Sequence, residues 1–586
     1  MQSDPLAARG SSSPAAVAVE TSLRREGRLR RRRRGRKHEA RARAPAALFT
    51  AWSMSEGEQT SGTGRDASAR LRRIGATVVV MGALVALLLQ GGVGDGAVGK
   101  GTVGKGTVSG GAVGGGTESG PAEVSVSIDA RRPGPPVPRG FLGLSFELSS
   151  LHQVAQYADS GDLVALLRGL GQGVLRFGGV SADTRTAWTD PLTPRPAWAS
   201  GTLERGDLRA LGRLAARSGW QVLLTIGLAH YDPHAAAREA RAAKAALGRW
   251  LAGIELGNEP DAYARHGIRS GTWTFSQYRR QVAAYRRAIA KAAPGIPLAG
   301  PDVSGSRAFE RWGPGEASRL HPALLTGHHY PLGCHDVPAP TIARLLSLPI
   351  RRKEDQSLER YLSVARHGGI PFRMDETNTV SCGGRLGVSD TFASALWAID
   401  YIAQAMNAGV AGINFQGNPA NCHGYTPVCA PTPARLATGA LRAQPEWYAL
   451  LLSSALIGDR PLRSVVASAP QPNAPQPNVD VTTLLAPDGG LRVVVVDDDP
   501  PGSSAARVSV HVGRGFGAGR ILQLTAPSPA AGAGVELGGR AVGAEGVWRN
   551  PTAPSVSPDH GGVIGLDVSP TSAILLTVPP RRSAAG

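Results

Sequence analysis

The chain of 586 residues predicts an α/β fold, a (β/α)8 TIM barrel followed by a C-terminal antiparallel β-sandwich. Eight short apolar stretches (FLGLSFEL, GVLRFGG, QVLLTIGL, LAGIELGNE, PLAGPDV, LLTGHHYP, PFRMDETN and GVAGINFQG) alternate with Ala-, Leu- and Arg-rich stretches at helical spacing. Eight such units fit one barrel. After Leu456 the texture shifts to Val-rich runs such as LRVVVVDDD and ARVSVHV, broken by Gly, Pro and Asp as in a sandwich. Glu259 and Glu376 close the fourth and seventh stretches just before polar residues, at the rim where a barrel keeps its reactive groups.

The elements follow in chain order. Residues 1–73 carry RLRRRRRGRK and about +10 of the formal +19 charge, so the remainder is only mildly basic. Such a block reads as a solvated tail, not a nucleic-acid site. Met54, ahead of a short polar stretch and RLRR, is a second point at which translation could begin. Residues 74–89 are uncharged and apolar behind Arg70, Arg72 and Arg73, an export segment that either anchors the chain in a membrane or is cleaved. Both options put the rest outside the cytoplasm. Residues 90–120 are a Gly-rich repeat that cannot bury a core and serves as a tether.

An isolated strand at 121–133 is expected to join the C-terminal sheet, because a lone strand leaves its backbone unpaired. The barrel is placed at 140–457 and the sandwich at 458–582. Among the barrel helices, Ser276 to Ala293 has apolar and basic faces without an internal breaker and stops at Pro294. A doubly wound sheet is the rival architecture, but no Gly-rich phosphate turn follows the first strand, and no cofactor is expected.

Four cysteines, Cys334, Cys382, Cys422 and Cys429, permit three pairings. Outside the cytoplasm an even number favours disulfides. Cys422 with Cys429 closes a short loop and leaves Cys334 with Cys382. His335 and His423 raise a zinc reading, yet no tight C-x-x-C pair exists and no metal is expected.

Cleaving a glycosidic bond takes two carboxyl groups, one to protonate the leaving oxygen and one to attack or to activate water. Side chains reaching inward from strands four and seven can stand ~5 Å apart, the separation of a retaining double displacement. Glu259 is assigned as general acid/base and Glu376 as nucleophile. A lone glutamate is ordinarily a solvated charge, but two at matched strand ends are not ordinary. Asn258 would hydrogen-bond the sugar 2-hydroxyl, although N-E-P also reads as a turn. Arg176, ending strand two, is placed to hold Glu376 ionised while burial keeps Glu259 protonated; the plain alternative is a surface salt bridge. Glu147, closing strand one, either grips sugar hydroxyls or pairs in a buried salt bridge.

The order LRFGG, LGNEPD, AGPDV, HHYPLG, the Glu376 segment and VSDTFASALWAIDYIAQA resembles glycoside hydrolase family 79, the heparanase and β-glucuronidase family of clan A, over residues 123–580. The resemblance implies a retaining β-glucuronidase with Glu259 as acid/base and Glu376 as nucleophile. His329 and Tyr330 match an aromatic pair beside the nucleophile, with Tyr330 orienting it. Gly383 and Gly384 resemble a pair whose backbone N–H groups receive the uronate carboxylate, here one residue further from the nucleophile. Tyr425 in GYTPV is a second candidate carboxylate ligand, and a Cys334–Cys382 bond would brace the glycine loop. Two other readings keep the same fold: a clan-A glycosidase for neutral sugars, and a cell-surface carbohydrate-binding protein without turnover.

Overall fold

The computed structural model describes residues 122–468 and 476–581. The basic region, the apolar segment and the Gly-rich tether expected over 1–120 lie outside the described residues, and with them the expected membrane contact. Among the described residues no helix is long and apolar enough to cross a membrane.

The first eleven strands are β1 (Ala122–Asp129), β2 (Leu142–Glu147), β3 (Val174–Gly178), β4 (Thr186–Trp188), β5 (Gly201–Leu203), β6 (Gln221–Ile226), β7 (Leu251–Leu256), β8 (Ala299–Val303), β9 (Leu324–His329), β10 (Phe372–Thr377) and β11 (Gly412–Gly417). Eight of them form one sheet in the order β7-β6-β3-β2-β11-β10-β9-β8, all neighbours parallel. Its ends meet where Ile254 bridges Leu298 and donates its N–H to Pro297 O at 3.0 Å, closing the ring. These are the eight apolar stretches of the sequence. They are buried on both faces because helices wrap the outside, which is why they read as continuous apolar runs and not as alternating ones.

The helices take their bounds from local chemistry. Phe275–Ala292 starts with a capping box between Thr274 and Gln277 and buries Tyr278, Val282, Tyr285 and Ile289 at helical spacing. Pro233–Leu247 starts where Asp232 accepts from the N–H groups of His234 and Ala235 at 3.0 and 2.9 Å.

The C-terminal part is two stacked sheets. In one, β1 lies between Arg463–Ser468, antiparallel to it, and Ala506–His511, parallel to it, with Val563–Val568 beyond. The other is antiparallel and centres on Leu491–Asp497 and Ser572–Val578. Val124, Val126, Val493, Val495, Val508, Leu566 and Leu576 fill the space between them. The first described strand thus joins one of the two C-terminal sheets, as expected of an otherwise unpaired strand.

Two strands of the barrel break register near their C-terminal ends: β8 between Pro301 and Val303, and β10 against both neighbours after Met374. Such bulges add a residue and re-aim side chains beside a site. On β8 and β10 they turn acidic residues toward the barrel axis.

Candidate active site

Glu259 lies three residues past the end of β7 with φ +47, a left-handed backbone that costs a non-glycine residue on the order of 1 kcal/mol or more. Its N–H donates to Asp302 O at 2.8 Å, tying the loop after β7 to β8. Glu376 lies near the end of β10. One oxygen of Glu259, one of Glu376 and one ring nitrogen of His328 all stand within 4.8 Å of one another, so the two carboxylates face each other across a short gap.

Each oxygen of Glu376 has one donor. Arg176 Nη1 donates to Oε2 at 2.6 Å and Tyr330 OH to Oε1 at 2.9 Å. Arg176 is fully buried and spends its other donors on its neighbours: Nε on Glu255 Oε2 at 3.1 Å, Nη2 on Asn258 Oδ1 at 2.9 Å and on Asp302 at 3.0 and 3.1 Å. Nη1 also reaches Ser145 Oγ at 3.2 Å. A buried guanidinium with so many acceptors fixes its partners more rigidly than an exposed pair would, and the surface salt-bridge alternative for Arg176 is removed.

His328 links the two carboxylates to this network. Its Nδ1 lies 3.0 Å from Glu259 Oε1 and its Nε2 2.7 Å from Asp302 Oδ1. Burial alone would push the imidazole down, but the charges of Glu376, Asp302 and Asp375 outweigh it and raise it well above the usual histidine range. Both ring nitrogens therefore carry protons and donate. The 3.3 Å approach of Arg176 Nη2 to His328 Nε2 joins two donors and is no bond. Burial likewise pulls Asp302 up, yet Arg176 and His328 win and hold it below the ordinary carboxylate range. Asp375, beside Glu255 and Asp302, goes the other way: burial and then those two acids push it well up.

Two expectations are corrected here. His329 does not stand beside Glu376: successive side chains on β9 point to opposite faces, so His328 turns inward and His329 outward. The His329 Nε2 is 3.5 Å from Glu354 and its ring stacks on Tyr401 in the helical layer. Glu259 is only partly buried, its side chain 26% exposed, so burial is not its dominant environment; the contact with His328 is.

The remaining predicted residues converge on the same rim. Asn258 gives its Oδ1 to Arg176, leaving its amide N–H groups for a ligand, and its backbone N–H donates to Asp183 Oδ2 at 2.8 Å. Asp183 also accepts from Leu228 N, Ala229 N and Tyr263 OH, so one buried carboxylate pins the loops after β6 and β7. Glu147 accepts the Ser181 N–H at 2.9 Å; burial and the nearby Glu376 raise its carboxyl, while Ser181 and Arg176 oppose the shift. Tyr425 OH lies 3.3 Å from Tyr330 OH, the rings stacked 5.7 Å apart.

Gly383 and Gly384 have φ +92 and +94, and a Cβ on Gly384 would run into the Tyr425 backbone. The Gly384 N–H turns back to Ser381 O at 3.4 Å, so the expectation that both amides face a ligand narrows to Gly383. Tyr425 N–H donates to Gly383 O at 3.2 Å, joining this turn to the loop after β11. The disulfides Cys334–Cys382 and Cys422–Cys429 brace those two loops. Cys334 and Cys382 are thereby removed as thiolate ligands beside His335. The Glu259, His328 and Glu376 atoms are close enough for a cation, but Arg176 and a protonated His328 already supply positive charge there.

His328, Asp302, Asp375, Glu255 and Asp183 were not singled out from the sequence. The signal was there: an ionisable residue inside an apolar strand run, as in GIEL, AGPDV and RMDET.

No protein-family model matches the chain. A β-glucuronidase of Aspergillus niger is 29% identical over 181 residues, which is 27% of this chain and 33% of that protein. The match thus spans about a third of that curated relative's length. Among solved structures, a 4-O-α-L-rhamnosyl-β-D-glucuronidase from Fusarium oxysporum 12S superposes with a TM-score of 0.62 at 18% identity, over 78% of this chain and 100% of that one. A GH51 arabinofuranosidase from Xanthomonas axonopodis pv. citri gives 0.59 at 16% identity, again over 78% and 100%. At these identities the likeness is one of fold.

Proposed function

We propose that the chain is a retaining glycoside hydrolase acting on β-glucuronides. The observation that carries the reading is the facing pair: two glutamates from distant strands, oxygens within 4.8 Å, at one rim of the barrel. That gap suits direct attack on a sugar carbon better than the ~6.5–9.5 Å that leaves room for an inverting water.

In the first step Glu376 attacks the anomeric carbon, and the bond to the leaving oxygen breaks as Glu259 delivers its proton. In the second, Glu259 takes a proton from water, the resulting hydroxide oxygen bonds the anomeric carbon, and the ester to Glu376 breaks. Arg176 and Tyr330 aim the Glu376 oxygens, and His328 orients Glu259. Asn258 is left to meet the 2-hydroxyl. The Gly383 N–H and the Tyr425 hydroxyl are the candidate ligands of the uronate carboxylate, in line with the A. niger relative being a β-glucuronidase. Two disulfides fit an extracytoplasmic setting.

A clan-A glycosidase for neutral sugars is the second reading, favoured by the arabinofuranosidase likeness and by Gly384 spending its amide inside its own turn. A panel of aryl β-glycosides with and without the uronate carboxylate, assayed on the full chain, separates the two. The proposal expects the glucuronide to be cleaved at least about tenfold faster in kcat/KM than the glucoside, a difference of about 1.4 kcal/mol in transition-state binding. A preference for the glucoside would overturn the specificity, and no cleavage of any member would overturn the enzyme.

A further inference from the structure

The excursion that carries β4 and β5 encloses a cavity of about 310 Å³ against the end of β6 and the helix Pro233–Leu247. Its walls include Trp188, Trp198, Pro194, Ile226 and Ala235, and Trp198 stacks on His230 with centroids 3.9 Å apart. Leu192 in its wall is 78% exposed. Tyr231, 52% exposed, holds its ring 5.6 Å from that of Tyr285, another wall residue. Asp183 belongs to the wall while its carboxylate holds the Asn258 N–H, so the cavity backs on the catalytic rim without including either glutamate of the pair.

Two polar groups in this wall lack partners. Glu239 is 5% exposed and makes no hydrogen bond or ion pair with any described residue. The Thr186 Oγ1 is equally unbonded but is sealed from the cavity. Burial pushes the Glu239 carboxyl up to about 8, so at neutral pH it is an uncharged acid with one proton to donate and oxygens to accept. Leaving such groups unpaired costs roughly 1–3 kcal/mol each. The neighbours of Glu239 in REARAAKAAL are mostly alanine and offer nothing in exchange.

The occupant must therefore bring hydroxyl groups and an apolar face. An anion would meet the Asp232 carboxylate, and a cation would meet Arg238, both in the wall. A purely aromatic ring would leave Glu239 unpaired. A cavity of ~150 Å³ already holds benzene, so this one admits one hydroxylated ring.

We propose that this cavity is a second carbohydrate site that takes one uncharged sugar residue, its C–H face against Trp188 and Trp198 and a hydroxyl paired with Glu239. The site does not depend on the catalytic reading.

The test is indole fluorescence of the full chain, titrated with methyl β-D-glucopyranoside and methyl β-D-xylopyranoside, with phenol and methyl β-D-glucuronide as apolar and anionic controls. At least one neutral glycoside should saturate wild type and Glu376→Gln with the same Kd. That Kd should rise about tenfold or more in Glu239→Leu and in Ala235→Phe, which narrows the cavity from a half-buried position. Failure of both neutral glycosides to bind, or unchanged Kd values in both cavity variants, would overturn the site. So would tighter binding of phenol in Glu239→Leu, or a preference for the glucuronide that survives in Glu376→Gln. Should Glu239→Leu fail to fold, Ala235→Phe decides alone.

Discussion

Two arginines, the fully buried Arg176 and the largely buried Arg351, show what separates a site from a joint. Arg351, on the helix Leu348–Gly368, donates to Asp400 Oδ2 at 3.0 and 2.6 Å, to Asp498 Oδ2 at 2.5 Å and to Asn478 Oδ1 at 3.2 Å. It clamps the barrel helices to the C-terminal sheets through two buried carboxylates, Asp400 and Asp498, and the half-buried Asn478. Arg176 has similar chemistry, but one of its acceptors, Glu376, opens onto the rim and faces a second acid on a strained backbone. Burial and ion pairing alone are thus poor markers of function. The marker is an acceptor, Glu376, that faces a second and partly exposed acid, Glu259.

The sharpest way to break this comparison is to remove the open acceptor. Glu376→Gln should lower kcat by at least about 10⁴-fold while circular dichroism and Tm stay near wild type, the scale at which loss of a nucleophile is felt. A variant retaining a tenth of the activity would put Glu376 among the structural acids. Glu259→Gln comes next: about 10²–10⁴-fold for a poor leaving group and far less for nitrophenolate, which needs no proton. Equal losses for both leaving groups would remove Glu259 as the acid.

Arg351→Met sharpens the contrast from the other side. Breaking a buried pair from one side costs about 3–5 kcal/mol, so its urea midpoint should fall steeply while kcat per folded molecule stays within about twofold. Arg176→Met should lose both. If Arg351→Met lost activity at full stability, the division between joint and site would fail.

The smallest expected effect concerns a buried acid with no guanidinium. Burial pushes Glu316 up to about 8, against Arg286 and Tyr278, and its Oε2 has no partner. The fold keeps this proton while the unfolded chain gives it up near the ordinary value of ~4.3, so its stabilising contribution is complete below that pH and lost as pH rises toward 8. Glu316→Gln should therefore raise Tm by a few degrees at pH 8 and leave it nearly unchanged at pH 4, read by calorimetry. Asp302, held low, has the opposite sign: its contribution is present above the ordinary ~3.9 and lost as pH falls further.

The barrel was legible because each of its strands is an apolar run stopped by Gly, Pro or a polar residue, and helix wrapping demands such runs. Glu259 and Glu376 were legible because they stand where the runs end. The phase within β9 was not: HHY offers two histidines, and only the pairing with β8 and β10 decides which faces the axis. Nor could periodicity reveal that Asp375 and Glu376, adjacent in sequence, both reach Arg176, at 3.1 and 2.6 Å. The register break in β10 makes that possible, and a bulge leaves no signature in RMDETN.

As a double-displacement pair, Glu259 and Glu376 must act on opposite sides of one sugar carbon. ¹H NMR of the anomeric proton in the first minutes of aryl β-glucuronide hydrolysis tests it most directly, before mutarotation mixes the products. Double displacement at a β-glucuronide releases the β-anomer first. Initial release of the α-anomer would contradict it, whatever the rate.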